Sequence, residues 1–245
     1  SPEYSKVFIS GGVSAPMIST YDSGFVVARE RLKTYSRESG IVLSIPPFAR
    51  TVLWEGLVPD LRTVSGNLDI SLNQGGAVIL RIVAVDARYR GSVLSHILPN
   101  IQIRPYVSSP PYFSPALIKR DYVFEADSNW LFIRLGKGEV TNPLTGEKLA
   151  GDYGVLYEFL ITVVNNTGTS HQVLLNFDAT GGIARGVFLV NGKLYETPLV
   201  KPGNLYEFFS ITLSPGEQRR LRIITTTLSG SHYPASLVVS SRPAS

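Results

Sequence analysis

The C-terminal part of the chain consists of short apolar segments separated by turns rich in Gly, Asn and Pro. These segments are five to nine residues long, and polar residues alternate with apolar ones in several of them. This length and spacing are typical of antiparallel sandwiches and barrels. We therefore predict an all-β fold, an antiparallel β-sandwich, with strands at 157–164, 172–177, 186–190, 205–213 and 220–225.

The first half of the chain shows the same pattern more weakly. Strands are predicted at 41–45, 51–54, 67–72 and 77–85, and the last is almost continuously apolar, as a strand covered on both faces would be. Segment 25–35 fits either a strand or a helix, because its apolar residues also fall at helical spacing. Since no other segment fits a helix of any length, we predict at most one short helix.

Two turn motifs in the C-terminal part resemble those of a known class of domain. Residues 162–168 read Thr-Val-Val-Asn-Asn-Thr-Gly, and residues 211–217 read Ile-Thr-Leu-Ser-Pro-Gly-Glu. This region resembles the Ig-like accessory domains of bacterial surface proteins, in which such turns join core strands. The resemblance implies an Ig-like sandwich and a location outside the cell.

A second resemblance covers more of the chain. The segments that carry it are 38–47, 128–132, 151–154 and 231–234. They are similar to an uncharacterised secreted family of cyanobacteria and related bacteria, which has no activity to carry over. This resemblance also implies an extracellular protein.

A proline-rich stretch suggests how the chain is divided. Four prolines fall within residues 105–115, and because proline cannot donate to a strand ladder, the stretch is predicted to be an extended joint. The predicted division is an extended N-terminal segment, an N-terminal β-rich unit, the joint and a C-terminal Ig-like β-sandwich, at 1–23, 24–104, 105–116 and 117–245. The two larger parts are either two sandwich units or one large sandwich.

Composition narrows the classes of function. The 23 basic and 19 acidic residues give a net charge of only +4, and the basic clusters lack interleaved aromatics, so no nucleic-acid partner is expected. Absence of cysteine excludes disulfides and thiolate catalysis. No apolar run is long enough for a transmembrane segment. The chain starts at Ser1 and its single methionine is Met17, which favours a processed chain whose signal peptide has been removed, and hence an extracellular or cell-surface location.

The sequence offers no catalytic set, no cofactor motif and no metal site. Its three histidines are far apart, and neither a nucleophile elbow nor a phosphate loop is present. We therefore predict that the protein is not an enzyme and needs no cofactor. Calcium is left open at one acidic stretch, formed by Asp121, Glu125, Asp127 and Asn129.

Aromatic residues are the feature most compatible with a ligand. Tyr106, Tyr112 and Trp130 are candidate carbohydrate contacts, since sugar rings stack on exposed aromatic faces. Alternation along 130–134 places Trp130 and Phe132 on the same face, and a core position for Trp130 is the competing interpretation. Asn165 begins an Asn-Asn-Thr sequon in a predicted turn, where a glycan acceptor would be accessible.

Two functions follow as hypotheses. The first is a secreted or cell-surface structural protein that acts through assembly, as a filament, sheath or S-layer-type component, or through adhesion. Its partners would be further copies or other surface proteins, joined by strand addition, and residues 1–23 could be a donated strand. The alternative is a carbohydrate-binding module of an extracellular protein, with a polysaccharide as the partner.

Overall fold

The computed structural model describes residues 5–35, 40–47, 49–74, 117–128, 130–142 and 145–244. In these ranges the chain forms twelve strands and one α-helix. Two of the three sheets face each other across one apolar core. The prediction of an all-β sandwich is therefore confirmed.

The sandwich is built from residues after 116. A four-stranded sheet has the order β10-β7-β12-β5, and a five-stranded sheet has the order β4-β6-β11-β8-β9. All pairs are antiparallel except β4 with β6, which is parallel. The strands are β4 Leu117–Glu125, β5 Leu131–Leu135, β6 Leu156–Val164, β7 His171–Asp178, β8 Val187–Val190, β9 Lys193–Glu196, β10 Leu205–Leu213, β11 Gln218–Thr226 and β12 Ala235–Pro243.

Alternating side chains from the facing sheets fill the core. In β6 the inward positions are Phe159, Ile161 and Val163, and in β7 they are Val173, Leu175 and Phe177, all almost fully buried. Burying such side chains contributes about 1.5–3 kcal/mol each to folding. This is why the alternating runs of the sequence locate these strands correctly.

Both turn motifs cross from one sheet to the other. One joins β6 to β7 and the other joins β10 to β11. They meet at the same end of the sandwich, where Asn165 N donates to Glu217 O and Gly216 N donates to Asn165 O. By contrast, β8 and β9 form a hairpin, in which Asn191 and Gly192 both have positive φ (48° and 84°), as a tight type I′ turn requires.

Helix α1 spans Thr20–Thr34 and packs on the outer face of the five-stranded sheet. Ser19 caps its N-terminus, accepting a bond from Asp22 N. Its buried stripe of Phe25, Ala28 and Leu32 contacts apolar residues of β6, β8 and β11, so the helical interpretation of 25–35 is the correct one. At Gly24 the helix backbone comes so close to the loop between β11 and β12 that a Cβ would lie 1.9 Å from Ser229 O.

A small third sheet precedes the sandwich in the sequence. It contains β1 Ser5–Val13, β2 Ile41–Ile45 and β3 Gly66–Gln74, in the order β2-β1-β3. Because β1 is the central strand, hydrogen-bonded on both edges, it is not available for donation to a neighbour, and that interpretation of the N-terminal segment was wrong. Its Val7 and Ile9 are buried.

Three further predictions concern residues 51–54, 77–85 and 105–116. Residues 51–54 do not form a strand but lie in an exposed loop between β2 and β3. The predicted strand 77–85 and the joint 105–116 lie outside the described residues, and the four-part division of the chain stays a prediction. Among the described residues, α1 is not long and apolar enough to cross a membrane.

Candidate functional site

One of the three predicted carbohydrate contacts falls within the structure. Tyr106 and Tyr112 lie outside the described residues. Trp130 lies directly before β5, which is an edge strand of the four-stranded sheet. Its side chain is 54% exposed, so the competing interpretation of Trp130 as a core residue was wrong.

The expected alternation explains this exposure. Leu131, Ile133 and Leu135 face the sandwich core, which turns Trp130 and Phe132 to the outside. Phe132 is 54% exposed as well, and the two rings stack with centroids 5.9 Å apart and planes 27° apart. Alternation in the sequence predicts that the two rings share a face of the strand, but it does not specify whether that face is the inner or the outer one.

Arg134 continues the same row along the strand. It is exposed, and within the described ranges it has no hydrogen-bond or ion-pair partner. Trp130, Phe132 and Arg134 form what we call the β5 stripe. Alternate residues of a strand are spaced by about 6.6 Å, so the stripe is roughly 13 Å long.

The inner neighbours of the stripe hold it in place. In the β5·β12 pairing Phe132 lies opposite Val238 and Arg134 opposite Ser236, and both partners are buried. One strand further in, Asn176 donates from Nδ2 to Ser240 Oγ at 3.2 Å. The stripe is therefore an exposed margin backed by a packed and hydrogen-bonded sheet centre.

Asn165 is not the accessible acceptor that its turn suggested. Its side chain is fully buried, and Nδ2 donates to the backbone oxygens of Thr169, Leu213 and Ser214 at 2.8–3.1 Å. Its Oδ1 accepts from Thr167 N and Oγ1. A glycan on Nδ2 would break bonds that fasten the two crossing turns together, so glycosylation of Asn165 stays a prediction that the folded geometry opposes.

Asp152 is the most enclosed carboxylate of the described residues. It accepts bonds from the backbone N–H groups of Gly138, Glu139 and Val140 and from the Tyr157 hydroxyl. Burial raises the pKa of Tyr157, so its hydroxyl stays protonated and keeps donating. Since all these donors converge on one carboxylate, Asp152 fastens the loop 136–140.

Glu158 lies on β6 of the five-stranded sheet, between two cationic side chains. Its buried carboxylate accepts from Arg222 Nε at 2.6 Å and lies 3.1 Å from Lys119 Nζ. Burial would raise the pKa of Glu158, but the bonds from Arg222 and Lys119 outweigh it and lower the pKa. Tyr35 also points its hydroxyl at Glu158, at 3.4 Å.

No cation site emerges in the part of the chain that is described. Groups of three or more His, Asp or Glu with metal-binding geometry are absent there. Asp121, Glu125 and Asp127 are exposed on β4 and just after it, and Asn129 lies outside the described residues. Two cavities share Arg31 as a lining residue, and Asp69 is the one carboxylate among the residues that line them.

Comparison with known proteins gives only distant likenesses. No protein-family model matches the chain, and no curated protein matches it. One similar solved structure is the pre-peptidase C-terminal domain of collagenase from Bacillus anthracis, with 9% identity and a TM-score of 0.28, covering 51% of this chain and 96% of that domain. Another is CBM35 from Cellvibrio japonicus Abf62, with 16% identity and a TM-score of 0.21, covering 47% of this chain and 99% of that domain. At such TM-scores these likenesses carry no inference about this chain.

Proposed function

We propose that this protein is a non-enzymatic extracellular or cell-surface module that binds polysaccharide along the β5 stripe. The observation that supports this is the stacked and half-exposed pair of Trp130 and Phe132. Large aromatic side chains on a protein surface are favourable binding anchors, because they bury much area at little cost in side-chain entropy.

The shape of the stripe favours an extended ligand. Two rings and one guanidinium lie in a row on a strand margin, and neither of the two cavities that share Arg31 includes them. Aromatic faces contact the C–H faces of sugar rings, and the guanidinium of Arg134, which has no partner among the described residues, donates to sugar hydroxyls. A chain of several sugars along the strand fits this row better than a compact ligand does.

The test is binding of soluble and insoluble polysaccharides to the wild type and to Trp130→Ala. Affinity electrophoresis with xylan and mixed-linkage glucan, and pull-down with cellulose and chitin, cover both physical forms. Removing an aromatic binding anchor costs about 2 kcal/mol, a roughly 30-fold weaker affinity.

A matched control is available at the other tryptophan. Trp54 is 47% exposed in the loop between β2 and β3, so Trp54→Ala removes the same side chain from a different surface. We expect it to leave polysaccharide binding unchanged. Equal losses in the two variants, or no binding by the wild type, would contradict a site on β5.

A second candidate function, assembly with further copies, is supported by β2. This edge strand has the sequence Ile-Val-Leu-Ser-Ile, and Ile41 and Val42, on opposite faces, are both exposed. No strand of the described ranges pairs with its second edge. Native edge strands usually carry charges or proline that block pairing, and β2 carries neither.

Sedimentation velocity tests this second candidate. If β2 pairs with β2 of another copy, the wild type sediments as a dimer or larger species and Val42→Lys sediments as a monomer, because a charge on the edge disfavours pairing. A wild type that stays monomeric across the concentration range would rule out assembly through β2.

A further inference from the structure

One of the two cavities that share Arg31 lies between the small sheet, the C-terminal end of α1 and the start of β6. Its volume is about 420 Å³, within the range of ligand pockets. Phe8, Tyr35 and Leu156 form its apolar walls, and Ser10, Arg31 and Asp69 supply its polar groups. These residues come from distant parts of the sequence, which explains why no sequence motif predicted the cavity.

An ion pair forms the polar side of the cavity. Arg31 Nε donates to Asp69 Oδ2 at 3.1 Å, and Nη2 donates to Oδ1 at 2.6 Å. The Arg31 side chain is 6% exposed, and it also donates from Nη1 to Gly154 O and Thr226 Oγ1. Asp69, at 37% exposure, is the more open partner.

The pair retains hydrogen-bonding capacity that its partners among the described residues do not use. A guanidinium has five N–H groups, and the bonds above use four of them, which leaves one on Nη2. Each carboxylate oxygen of Asp69 accepts one bond from Arg31 and has room for another. Ser10, directly opposite Asp69 in the β1·β3 pairing, adds a hydroxyl.

The charge balance of the cavity restricts the ligand. Arg31 and Asp69 neutralise each other, so a charged ligand would gain little and would lose its hydration. A hydroxyl group can accept from Arg31 Nη2 and donate to Asp69 at the same time. Beside the rings of Phe8 and Tyr35, these groups suit a molecule with an apolar face and adjacent hydroxyls.

We propose that this cavity is a binding site for a small neutral sugar, a mono- or disaccharide, held by Arg31, Asp69 and Ser10 between Phe8 and Tyr35. This site is separate from the β5 stripe and does not depend on it. The Tyr35 hydroxyl stays protonated and donates to Glu158, because burial, followed by the neighbouring Glu158 carboxylate, raises the pKa of Tyr35.

Two-dimensional amide NMR of the full chain, titrated with glucose, galactose, N-acetylglucosamine and cellobiose, tests the site. We expect at least one sugar to shift the amide signals of Ser10, Gly11 and Tyr35 in a saturable way. Inorganic phosphate and acetate serve as anionic probes. Shifts with the anions alone, or no saturable shift with any sugar, would overturn the proposal.

Two variants locate the binding within the cavity. Ser10→Phe fills the cavity while leaving both residues of the ion pair unchanged in the sequence, and Ser44→Phe is its control, an exposed serine of the same sheet that does not line the cavity. We expect Ser10→Phe to weaken sugar binding at least tenfold and Ser44→Phe to leave it unchanged. Unchanged affinity in a folded Ser10→Phe protein would overturn the site.

Asp69→Asn and Trp130→Ala separate this site from the proposed function. Asp69→Asn should also weaken the sugar at least tenfold, with thermal unfolding as the check that the protein is folded. Trp130→Ala should leave the shifts at Ser10 and Gly11 intact even if it abolishes polysaccharide binding. Loss of both kinds of binding in Trp130→Ala would place the small sugar on the β5 stripe and overturn this second site.

Discussion

The two large sheets present opposite kinds of outer surface. On the five-stranded sheet, α1 covers Leu156, Val187 and Ile224 with its own apolar stripe. On the four-stranded sheet, the margin at β5 keeps Trp130 and Phe132 half exposed. Both surfaces carry large apolar side chains, so the difference lies in whether the chain covers them. The covered residues contribute to stability, and the uncovered pair is the proposed polysaccharide contact.

The largest effect should come from opening the covered surface. Leu32 is completely buried where α1 meets the five-stranded sheet. We expect Leu32→Ala to lower the free energy of unfolding by about 3 kcal/mol, because buried apolar surface is lost and a cavity is left. Urea denaturation measures this change.

The same substitution on the other sheet is the control for that effect. Leu205 begins β10, the edge strand farthest from β5, and is exposed. Leu205→Ala should cost about 0.5 kcal/mol. Similar losses in the two variants would mean that α1 does not protect its sheet in the way the packing indicates.

A smaller loss of stability is expected from breaking the ion pairs of Glu158 on the five-stranded sheet. Glu158→Gln removes the charge that Arg222 and Lys119 neutralise, which should cost about 1.5 kcal/mol at neutral pH. Because the folded pKa of Glu158 is lowered from 4.5, its contribution is complete above that value and is lost as pH falls through the folded pKa.

Unfolding measured at several pH values checks this sign. The difference in stability between wild type and Glu158→Gln should be largest near neutrality and shrink below pH 4.5. A difference that grows on acidification would show that the folded pKa is raised, as burial alone would make it.

A weaker effect is expected at the polar end of the β5 stripe. Arg134→Ala should reduce polysaccharide affinity about fivefold, close to 1 kcal/mol, because one donor to a sugar hydroxyl is lost. Its stability should stay within about 0.5 kcal/mol of wild type, since Arg134 has no partner among the described residues. Binding and unfolding measured on the same preparation separate the two. A large loss of stability would assign Arg134 a structural role.

The smallest change is spectroscopic. The chain has two tryptophans, so Trp54→Phe leaves Trp130 as the only one. Its fluorescence should be quenched readily by acrylamide, and bound polysaccharide should reduce that quenching. If the quenching is unchanged at saturating polysaccharide, Trp130 does not contact the ligand.

Sequence patterns located most of the described strands but not all of them. β6, β7, β10 and β11 were predictable because their inward positions alternate, and β2 was predicted with its observed bounds. β1 was missed because Gly11 and Gly12 suggest a turn, and Thr51–Trp54 was predicted as a strand that has no partner. Local patterns contain no information about pairing, which distant residues decide.

The candidate sites show the same limit. The row formed by Trp130 and Phe132 followed from alternation, but their exposure depends on β5 lying at a sheet edge. Arg31 and Asp69 meet only because α1 packs beside the small sheet. No spacing in the sequence predicts such a meeting.

The buried amide of Asn165 makes folding itself measurable. Its sequon is open to an oligosaccharyltransferase only while the chain is unfolded, since the folded turn encloses Nδ2. In a host that glycosylates, the fraction of chains modified at Asn165 would therefore serve as a clock for folding. Variants that fold slowly would carry a glycan on a larger fraction of their chains, and mass spectrometry would measure that fraction.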